Sequence, residues 1–461
     1  MTAHAWHLLE QMHRAVTGRS AAPAERVTFV SGDRLPSAFA VSDLATASIA
    51  NAALAVGRVT QRESTSASGQ VEVDERAAAL WFSRTIEPVG WELPPVWDSI
   101  AGIYPCGDRF VRLHTNAPHH KAAALRVLHC AEERSAVADA VAGWDAFELE
   151  DAVVEDGGVA SALRSRDEWV THPQGEALQS EPLVHRTRHP DSGTSIGGGP
   201  TPAPPLDGVR VLDLTRVLAG PVATRLLAGL GADVLRIDPP VWDEAGVAAE
   251  VNLGKRCARL DLRSSGDRAT FEQLLGEAHI LVHGYRRDAL AGLGFGDDAR
   301  RARNPALVDV SLNAWGHAGP WRDRRGFDSI VQIAAGVAHH GMVAYGLDQP
   351  RPLPVQALDH ATGYTLAACA LHGWADRRDR GEGSTWKTSL AAHAELLWDV
   401  ASDADLQAKF PPLAADDPAT DEQTSWGPVR RATPPLRVPG VELVWPSGAA
   451  DHGTAPATWR T

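Results

Sequence analysis

Residues 209–237 read VRVLDLTRVLAGPVATRLLAGLGADVLRI, and this stretch decides the fold of the central part of the chain. Residues 209–214 form a short β-type run, residues 222–230 are predicted to be helical, and residues 234–237 form a second strand. The connections between them are short, and glycine ends the helix at residue 231. A strand, a helix and a strand joined in this way predict a βαβ unit, and therefore a parallel sheet with helices packed on it.

The same alternation continues towards residue 312. Further helices are predicted at about 267–277 and 297–303, with strands at 279–282 and 307–312. Strands that alternate with helices are typical of a doubly wound, Rossmann-like parallel sheet. We therefore expect an α/β fold, with its large domain over residues 206–400.

The rest of the chain divides by composition. Residues 98–183 combine a strand at 110–114 with several amphipathic helices, which predicts a smaller α+β domain. Residues 184–205 are rich in Gly, Ser and Pro and predict a linker, because such a stretch has little apolar area to bury. Residues 401–461 are rich in Pro, Ala and Asp, and we expect them to run extended over the surface.

A second pattern is an internal repeat. VSDLATASIANAAL at 41–54 corresponds to ALDHATGYTLAACAL at 357–371, and each copy has an aspartate, Asp43 or Asp359, at its third position. Each copy later ends in Leu-Trp, at 80–81 and at 397–398. A repeat of this kind indicates a duplicated or permuted domain. Residues 1–97 would then hold the duplicated aspartate helix and its lead-in.

Composition restricts the class of protein. The chain has 461 residues, 44% of them hydrophobic and 22% charged, as in a soluble protein of two or three domains. It has neither the ~18 apolar residues in a row of a membrane helix nor the apolar core of a secretory signal at its start. The four cysteines are scattered without a CxxC pair, so we expect a reduced cytoplasmic setting and neither zinc nor a disulfide framework.

The charge of the chain bears on its partners. The net charge of −14 disfavours a general nucleic-acid binder. Local cations can still hold phosphates on an acidic protein, and residues 252–256 and 285–287 place Lys and Arg beside strand ends. Such groups are also typical of a solvated face. The His pairs at 119–120 and 339–340 do not favour a metal site, because adjacent side chains do not face one centre.

Two segments are candidates for chemistry. Asp359 opens an Ala-rich helix, where a carboxylate is either a cap for free backbone N–H groups or a nucleophile at the sheet edge. Residues 214–221 follow the first strand, where α/β sheets usually place a ligand loop. This loop is neither a Walker loop nor a GxGxxG fingerprint, so a nicotinamide cofactor is not favoured. The glycines at 292–296 follow a helix and do not suggest a dinucleotide site.

Several motifs together resemble one family. They are the stretches at 206–221, 231–237, 252–256, 260–263, 304–305, 316–321 and 326–328. In order and spacing they are similar to the class III CoA-transferases of the CaiB/BaiF type, which include formyl-CoA and carnitine CoA-transferases and the α-methylacyl-CoA racemases. Residues 108–113 and 166–174 resemble the small domain of that family, but here they come before the large domain. The resemblance therefore implies a circularly permuted chain.

The resemblance also implies a mechanism. An aspartate attacks an acyl-CoA thioester, a mixed anhydride and then an aspartyl-CoA thioester form, and an acceptor acid enters by the reverse route. Asp359 takes this position, with Asp43 as the alternative copy. The implied CoA-binding residues are Arg216, Val217, Leu218, Ala219, Leu260, Arg263, Gly284, Tyr285 and Arg286. Gly284 replaces an asparagine of the family.

The family further implies the partners. Coenzyme A and acyl-CoA would be substrates rather than tightly bound cofactors, the second substrate would be a small carboxylic acid, and the protein would be a homodimer. The racemases of the family carry a histidine before the aspartate of a Gly-x-Asp motif, and this chain has Phe327 there. Since two-base proton exchange needs that second group, acyl transfer is favoured. An acyl-CoA racemase or isomerase and a non-catalytic CoA-binding protein are the alternatives.

Overall fold

The computed structural model describes residues 3–19, 26–60, 70–190, 193, 204–400, 402 and 405–460. The first unit consists of α1 (Ala3–Thr17), β1 (Val27–Val30), α2 (Val41–Val59), β2 (Val71–Asp74), α3 (Glu75–Ser83) and β3 (Ile86–Pro88). Strands β1 and β2 are parallel neighbours. Helix α2 is buried along almost its whole length, as its Ala-rich sequence requires.

The small domain follows the first unit. Its elements are β4 (Gly102–Cys106), β5 (Arg109–Leu113), α4 (Pro118–Leu128), α5 (Arg134–Ala142), α6 (Ala146–Glu155), β6 (Ala160–Ala162), α7 (Arg166–Thr171) and α8 (Pro173–Gln179). The three strands form an antiparallel sheet in the order β4-β5-β6. Helices α4, α5 and α6 pack on this sheet around an apolar core of their own. The predicted α+β composition of this segment is therefore observed.

The large domain is built on a sheet that has seven strands among the described residues. Its elements are β7 (His185–His189), β8 (Arg210–Leu214), α9 (Ala219–Gly229), β9 (Asp233–Asp238), α10 (Ala245–Val251), β10 (Arg256–Arg259), α11 (Ser265–Glu277), β11 (Ile280–His283), α12 (Arg287–Gly292), α13 (Asp297–Arg303), β12 (Val308–Asn313), α14 (Asp328–Ala334), α15 (Val337–Ala344), α16 (Ala357–Arg380), β13 (Gly383–Ser389) and α17 (Leu390–Trp398).

The sheet has the order β10-β9-β8-β11-β12-β13-β7. The strands from β8 to β13 are parallel to their neighbours, and β7 joins the edge antiparallel. In chain order the parallel strands run 3-2-1-4-5-6, the order of a doubly wound sheet. The α/β prediction is confirmed. The order reverses between β8 and β11, and a ligand crevice is expected outside the carboxyl ends of these two strands.

Two segments differ from the prediction. The stretch predicted as a linker over 184–205 begins with strand β7, while residues 191–192 and 194–203 lie outside the described residues. The tail predicted to run extended over the surface contains β14 (Ala419–Gln423), β15 (Pro428–Ala432) and β16 (Leu436–Arg437). Strand β15 pairs with β14 and with β3 of the first unit, and β16 pairs with β2. Trp445 stacks on Trp81, with ring centroids 6.0 Å apart. Apolar contacts of this kind fix the tail in place, and its overall polar composition does not reveal them.

The two copies of the repeat fold alike. Each consists of a long helix, a strand and a shorter helix, namely α2-β2-α3 and α16-β13-α17. In both, the last residue of the strand caps the second helix: Asp74 accepts from the N–H of Ala77, and Ser389 accepts from the N–H of Ala392. Helices α2 and α16 pack against each other in the main core. No described helix is both long and apolar enough to pass through a bilayer.

Candidate active site

A cavity of about 310 Å³ lies in the crevice at the carboxyl ends of β8, β11 and β12. Its lining is His119, His120, Leu214, Thr215, Arg216, Val217, Ala219, Trp242, Gly284, Tyr285, Arg286, Ala289, Leu312, Asn313, Ala314, Arg322, Arg324, Arg325, Gly326, Phe327, Asp359 and Leu390. Five arginines and one carboxylate therefore share the cavity wall. An anionic ligand is the ligand class that such a wall favours.

The loop between β8 and α9 has an uncommon backbone at the cavity. Val217 has φ 63°, a left-handed conformation that is rare for a β-branched residue. Its N–H donates to Oε2 of Glu244 over 2.8 Å, and Glu244 also accepts from Trp242 Nε1 and pairs with Arg236. Strain of this kind persists where the surroundings enforce it, and it occurs often at ligand sites.

A buried ion pair also holds the loop between β8 and α9 in place. Lys255 Nζ lies 3.0 Å from Oδ2 of Asp213 and donates to the carbonyl of Pro221 over 3.0 Å. Asp213 also accepts from the N–H of Thr215 and from the hydroxyl of Thr224. Burial alone would raise the pKa of Asp213, but Lys255 and these donors hold it below its ordinary value. The start of α9 is thereby fixed against the end of β8.

Arg216 is held between two aromatic rings. Its guanidinium carbon lies 4.4 Å from the ring centre of Trp242 and 4.8 Å from that of Tyr285. Nη2 donates to the Tyr285 hydroxyl over 2.6 Å. Aromatic faces of this kind position a guanidinium without neutralising its charge. The loops after β8 and β11 therefore present one oriented cation at the point where the strand order reverses.

Asp359 reaches the cavity from the first turn of α16. The residue is 8% exposed and forms part of the cavity wall. Helix α16 has no side-chain cap at Gln356, and the N–H of Asp359 donates to Oδ2 of Asp328 over 3.0 Å. Asp328, the first residue of α14, thus caps the neighbouring helix. The carboxylate of Asp359 does not cap its own helix, so the structure does not support the interpretation of this residue as a cap.

The two carboxyl groups affect each other. Burial raises the pKa of Asp359 well above its usual range, and the charge of Asp328 raises it further. Burial also raises the pKa of Asp328, although the amides of Leu358 and Asp359 and the side chain of Gln332 oppose this. The ionised form of Asp359 is therefore a more basic carboxylate than that of a free aspartate, and a smaller fraction of it is ionised at neutral pH.

A close helix crossing fixes where Asp359 lies. One turn after it, Gly363 packs so tightly on α9 that a Cβ there would lie 2.4 Å from the carbonyl oxygen of Ala219 and 2.8 Å from Val222 Cβ. Backbone atoms at that distance must move apart. The glycine thus allows α16 to bring its carboxylate to the start of α9.

Gly363→Ala should separate these helices. Overpacking of this kind costs about 1–3 kcal/mol, so we expect a lower melting temperature and weaker ligand binding at the cavity. Differential scanning calorimetry with and without CoA measures both effects. Gly266→Ala in α11, where a Cβ meets nothing within 4 Å, is the matched control and should leave both values nearly unchanged. Equal behaviour of the two variants would contradict the role given to Gly363.

Asp43, the duplicate of Asp359, lies in a different environment. Its side chain is 1% exposed and forms an ion pair with Arg34. It is absent from the cavity wall that the described residues form. We therefore expect Asp43 to have a structural role in the first unit.

The structure brings most of the predicted site residues together. Arg216, Val217, Ala219, Gly284, Tyr285 and Arg286 line the cavity with Asp359. Leu218 is the residue before α9 and packs against the main core. Leu260 is buried in the core on the other face of the sheet, and the Arg263 side chain is 78% exposed. These three are not among the lining residues of the cavity.

Sequence reasoning missed one wall of the cavity. Arg322, Arg324 and Arg325 come from the segment before α14, and His119 and His120 from the start of α4. The small domain reaches this wall through Glu150, which is paired with Arg164 over 2.7 Å and with Arg324 over 2.8 Å. From the sequence, the two adjacent histidines bear only on a metal site, which their adjacent positions do not favour. In the described part of the chain, no group of three metal-binding side chains occurs. The cluster of arginines at 322–325 is the sequence feature from which this cavity wall could have been predicted.

Part of the chain is similar to known proteins. Residues 206–422 match the family model for "CoA-transferase family III". The "Probable fatty acyl-CoA transferase Rv3272" of Mycobacterium tuberculosis is 32% identical over 194 residues, covering 39% of this chain and 49% of that protein. The "Succinate--glutarate CoA-transferase" of Agrobacterium fabrum is 35% identical over 189 residues, covering 37% and 47%.

A crystal structure of Rv3272 is 29% identical over 42% of this chain and 57% of that one, with a TM-score of 0.38. The chain spans about half the length of the curated relatives it matches. The family match covers the whole sheet from β8 to β13, with Asp359 and most of the cavity wall. Over residues 206–422, this chain is similar to the class III CoA-transferase family.

Proposed function

We propose that the protein is a CoA-transferase that moves CoA from an acyl-CoA thioester to a carboxylic acid. The observation that carries the proposal is the position of Asp359, a nearly buried carboxylate in the wall of an Arg-lined cavity at the strand reversal of the sheet. A carboxylate there is shielded from water and adjoins the start of α9, where backbone N–H groups favour anions.

Coenzyme A would bind along the carboxyl edge of the sheet. Its phosphates would meet Arg216 and Arg286, and the backbone of Val217, Leu218 and Ala219 would border the pantetheine. Gly284 and Tyr285 would line the same path. Leu260 and Arg263 would border the adenine end, outside the cavity. Guanidinium groups suit this role because their planar fork matches phosphate oxygens.

The proposed reaction forms two kinds of intermediate on Asp359. Its carboxylate oxygen attacks the thioester carbon, the C–S bond breaks, and CoA leaves as the thiolate. The thiolate then attacks the aspartyl carbon of the anhydride, releasing the first acid and leaving an aspartyl-CoA thioester. The acceptor carboxylate attacks this thioester to form a second anhydride. Attack of the thiolate on the acceptor carbon gives the new acyl-CoA and restores Asp359.

Wild-type protein tests the proposal directly. Incubation with an acyl-CoA and isotopically labelled carboxylic acids should give labelled acyl-CoA. Hydroxylamine added during turnover should trap Asp359 as a hydroxamate, which peptide mass spectrometry would locate. Failure of a broad acid panel to exchange, together with an unmodified Asp359 peptide, would reject the transferase.

One observation favours a second candidate, an acyl-CoA racemase or isomerase. Phe327 replaces the histidine expected of a racemase, but His120 lies in the same cavity wall. Burial, together with His119, Arg325 and Arg286, lowers the pKa of His120 to about 3, so its imidazole is neutral. Deuterium incorporation at Cα of an acyl-CoA in D₂O, with no acceptor acid present, would identify this activity.

We further propose a homodimer in a reduced cytoplasmic compartment, with CoA as a dissociable substrate. The buried positions of Cys106, Cys257 and Cys369 as free thiols support the reduced setting. The circular permutation belongs to the same proposal, since the small domain precedes the sheet domain in the chain. Light scattering measures the mass of the assembly, and a mass equal to one chain would reject the dimer.

A further inference from the structure

The last part of the tail runs along one edge of the large sheet. The N–H of Ala455 donates to the carbonyl of Cys257 over 2.9 Å, and Cys257 belongs to β10, the strand at one end of the described sheet. The side chain of Asn252 donates to the carbonyl of Ala450 over 3.0 Å. The tail is therefore held against the sheet on both sides of His452.

The side chain of His452 lies between buried carboxylates. It is 1% exposed, and its Nε2 lies 3.8 Å from Oδ2 of Asp238 and 3.8 Å from Oε1 of Glu244. Its Nδ1 lies 3.4 Å from Oδ1 of Asp451. Neither ring nitrogen forms a hydrogen bond within the described residues. Burying such a group without a partner costs about 1–3 kcal/mol, so attraction to the two buried carboxylates is what favours an imidazole at this position.

The two buried carboxylates share one guanidinium. Arg236 donates from Nε to Asp238 over 2.9 Å and also forms an ion pair with Glu244. Burial alone would raise the pKa of Glu244, but Arg236, His452 and the N–H of Val217 lower it to about 2. Glu244 is therefore ionised at neutral pH. Because two negative charges face one positive charge, the N–H group of the histidine would reduce the repulsion between the carboxylates.

Glu244 connects this buried group to the wall of the cavity. Its Oε2 accepts from the N–H of Val217 over 2.8 Å and from Nε1 of Trp242 over 3.0 Å. Val217, in its left-handed conformation, follows Arg216 directly, and the ring of Trp242 lies 4.4 Å from the guanidinium carbon of Arg216. One carboxylate oxygen thus holds both the backbone and the ring that orient this arginine.

From these contacts we propose that His452 is a positioning residue, which acts through Glu244 to hold the loop that presents Arg216 to the phosphates of CoA. The inference rests on the CoA-binding role proposed for Arg216. His452 is not among the residues that line the cavity, so the tail would set the affinity for CoA without touching it. Without the imidazole, Glu244 would hold Val217 less firmly. The left-handed conformation of that residue costs energy, so the loop would then relax.

The first experiment compares CoA binding with turnover. His452→Phe keeps a ring but removes the N–H group. We expect the Kd of CoA, measured by calorimetry, and the KM of an acyl-CoA to rise roughly tenfold, because a charged hydrogen bond from Arg216 is partly lost. The KM of the acceptor acid and kcat should change by less than about threefold. His452→Gln, which keeps an N–H donor, should restore part of the affinity. Arg460→Gln removes an exposed cation of the same tail near Asp233, and as the control it should bind CoA like the wild type.

The second experiment tests the link without a substrate. In His452→Phe, hydrogen exchange measured by mass spectrometry should be faster in residues 214–221 and unchanged in β11, which is buried in the core. Faster exchange in both segments, with lower kcat and unchanged KM, would show a purely structural role and overturn the inference. Unchanged CoA affinity with unchanged exchange at 214–221 would also overturn it. If the wild type transferred no CoA but the binding and exchange results were as expected, the transferase would be rejected and the role of His452 upheld.

Discussion

Asp359→Asn should abolish CoA transfer and at the same time make the protein more stable at neutral pH. The amide has nearly the shape of the carboxylate but cannot form an anhydride, so we expect kcat to fall by at least roughly 1000-fold. Hydroxylamine should no longer modify this residue. The CoA affinity of the variant, measured by calorimetry, should remain within about threefold, because Asp359 is not proposed to contact the phosphates.

The stability gain follows from the raised pKa of Asp359. In the unfolded chain this group loses its proton near pH 4, whereas the folded protein keeps the proton to a higher pH. Wild-type stability therefore falls as the pH rises from about 4 to the raised folded pKa. The asparagine variant lacks this fall. We expect it to be more stable by about 1–2 kcal/mol at pH 7, with the difference disappearing near pH 4.

Asp43→Asn is the matched control for this prediction. It removes the corresponding carboxylate of the first copy, which is paired with Arg34 away from the cavity. Transfer should continue at the wild-type rate, and the melting temperature should fall because Arg34 loses its partner. Loss of activity in Asp43→Asn with activity retained in Asp359→Asn would assign the reaction to the other copy.

The second large effect is expected at Lys255. Lys255→Met keeps the volume of the side chain but leaves Asp213 buried and charged without its ammonium partner. Breaking a buried pair in this way costs about 3–5 kcal/mol. The start of α9 should also loosen, because Lys255 holds the carbonyl of Pro221. Urea unfolding followed by circular dichroism measures the loss of stability.

The double variant Asp213→Asn with Lys255→Met distinguishes charge from packing. If the stranded carboxylate causes the loss, the double variant should recover more than half of it, since neither buried charge remains. A double variant that is as unstable as the single one would show that the hydrogen bonds of Asp213 to Thr215 and Thr224 matter more.

Much of this architecture can be predicted from the sequence. Short β-type runs separated by helices at 209–312 predict the parallel sheet because buried strands and amphipathic helices have different apolar periods. The cavity edge follows as well, since loops after parallel strands meet at one edge. The sequence alone leaves open whether Asp359 is a helix cap or a nucleophile. The group that caps this helix start is Asp328, which lies thirty-one positions away in the chain, so local sequence does not reveal it.

The cavity wall formed by the small domain could not be predicted in this way. His119 and His120 belong to α4, and their approach to Asp359 depends on how two domains pack together. Periodicity reports on one element at a time, so it does not predict such contacts. The tail shows the same limit. Its composition predicts an extended course over the surface, but the ring of Trp445 anchors it beside Trp81 and Arg225.

The carboxylate of Glu150 joins the small domain to the large one, and we expect this link to restrict how substrates enter and leave. It is shared by Arg164 of the small domain and Arg324 of the segment before α14, and its pKa stays below the ordinary value in spite of its burial. A swinging motion of the small domain would separate these buried charges, at a large energetic penalty. We therefore expect the small and large domains to move as one rigid body during the reaction. Exchange of CoA would then proceed by local gating at the rim, where Trp242 covers Arg216.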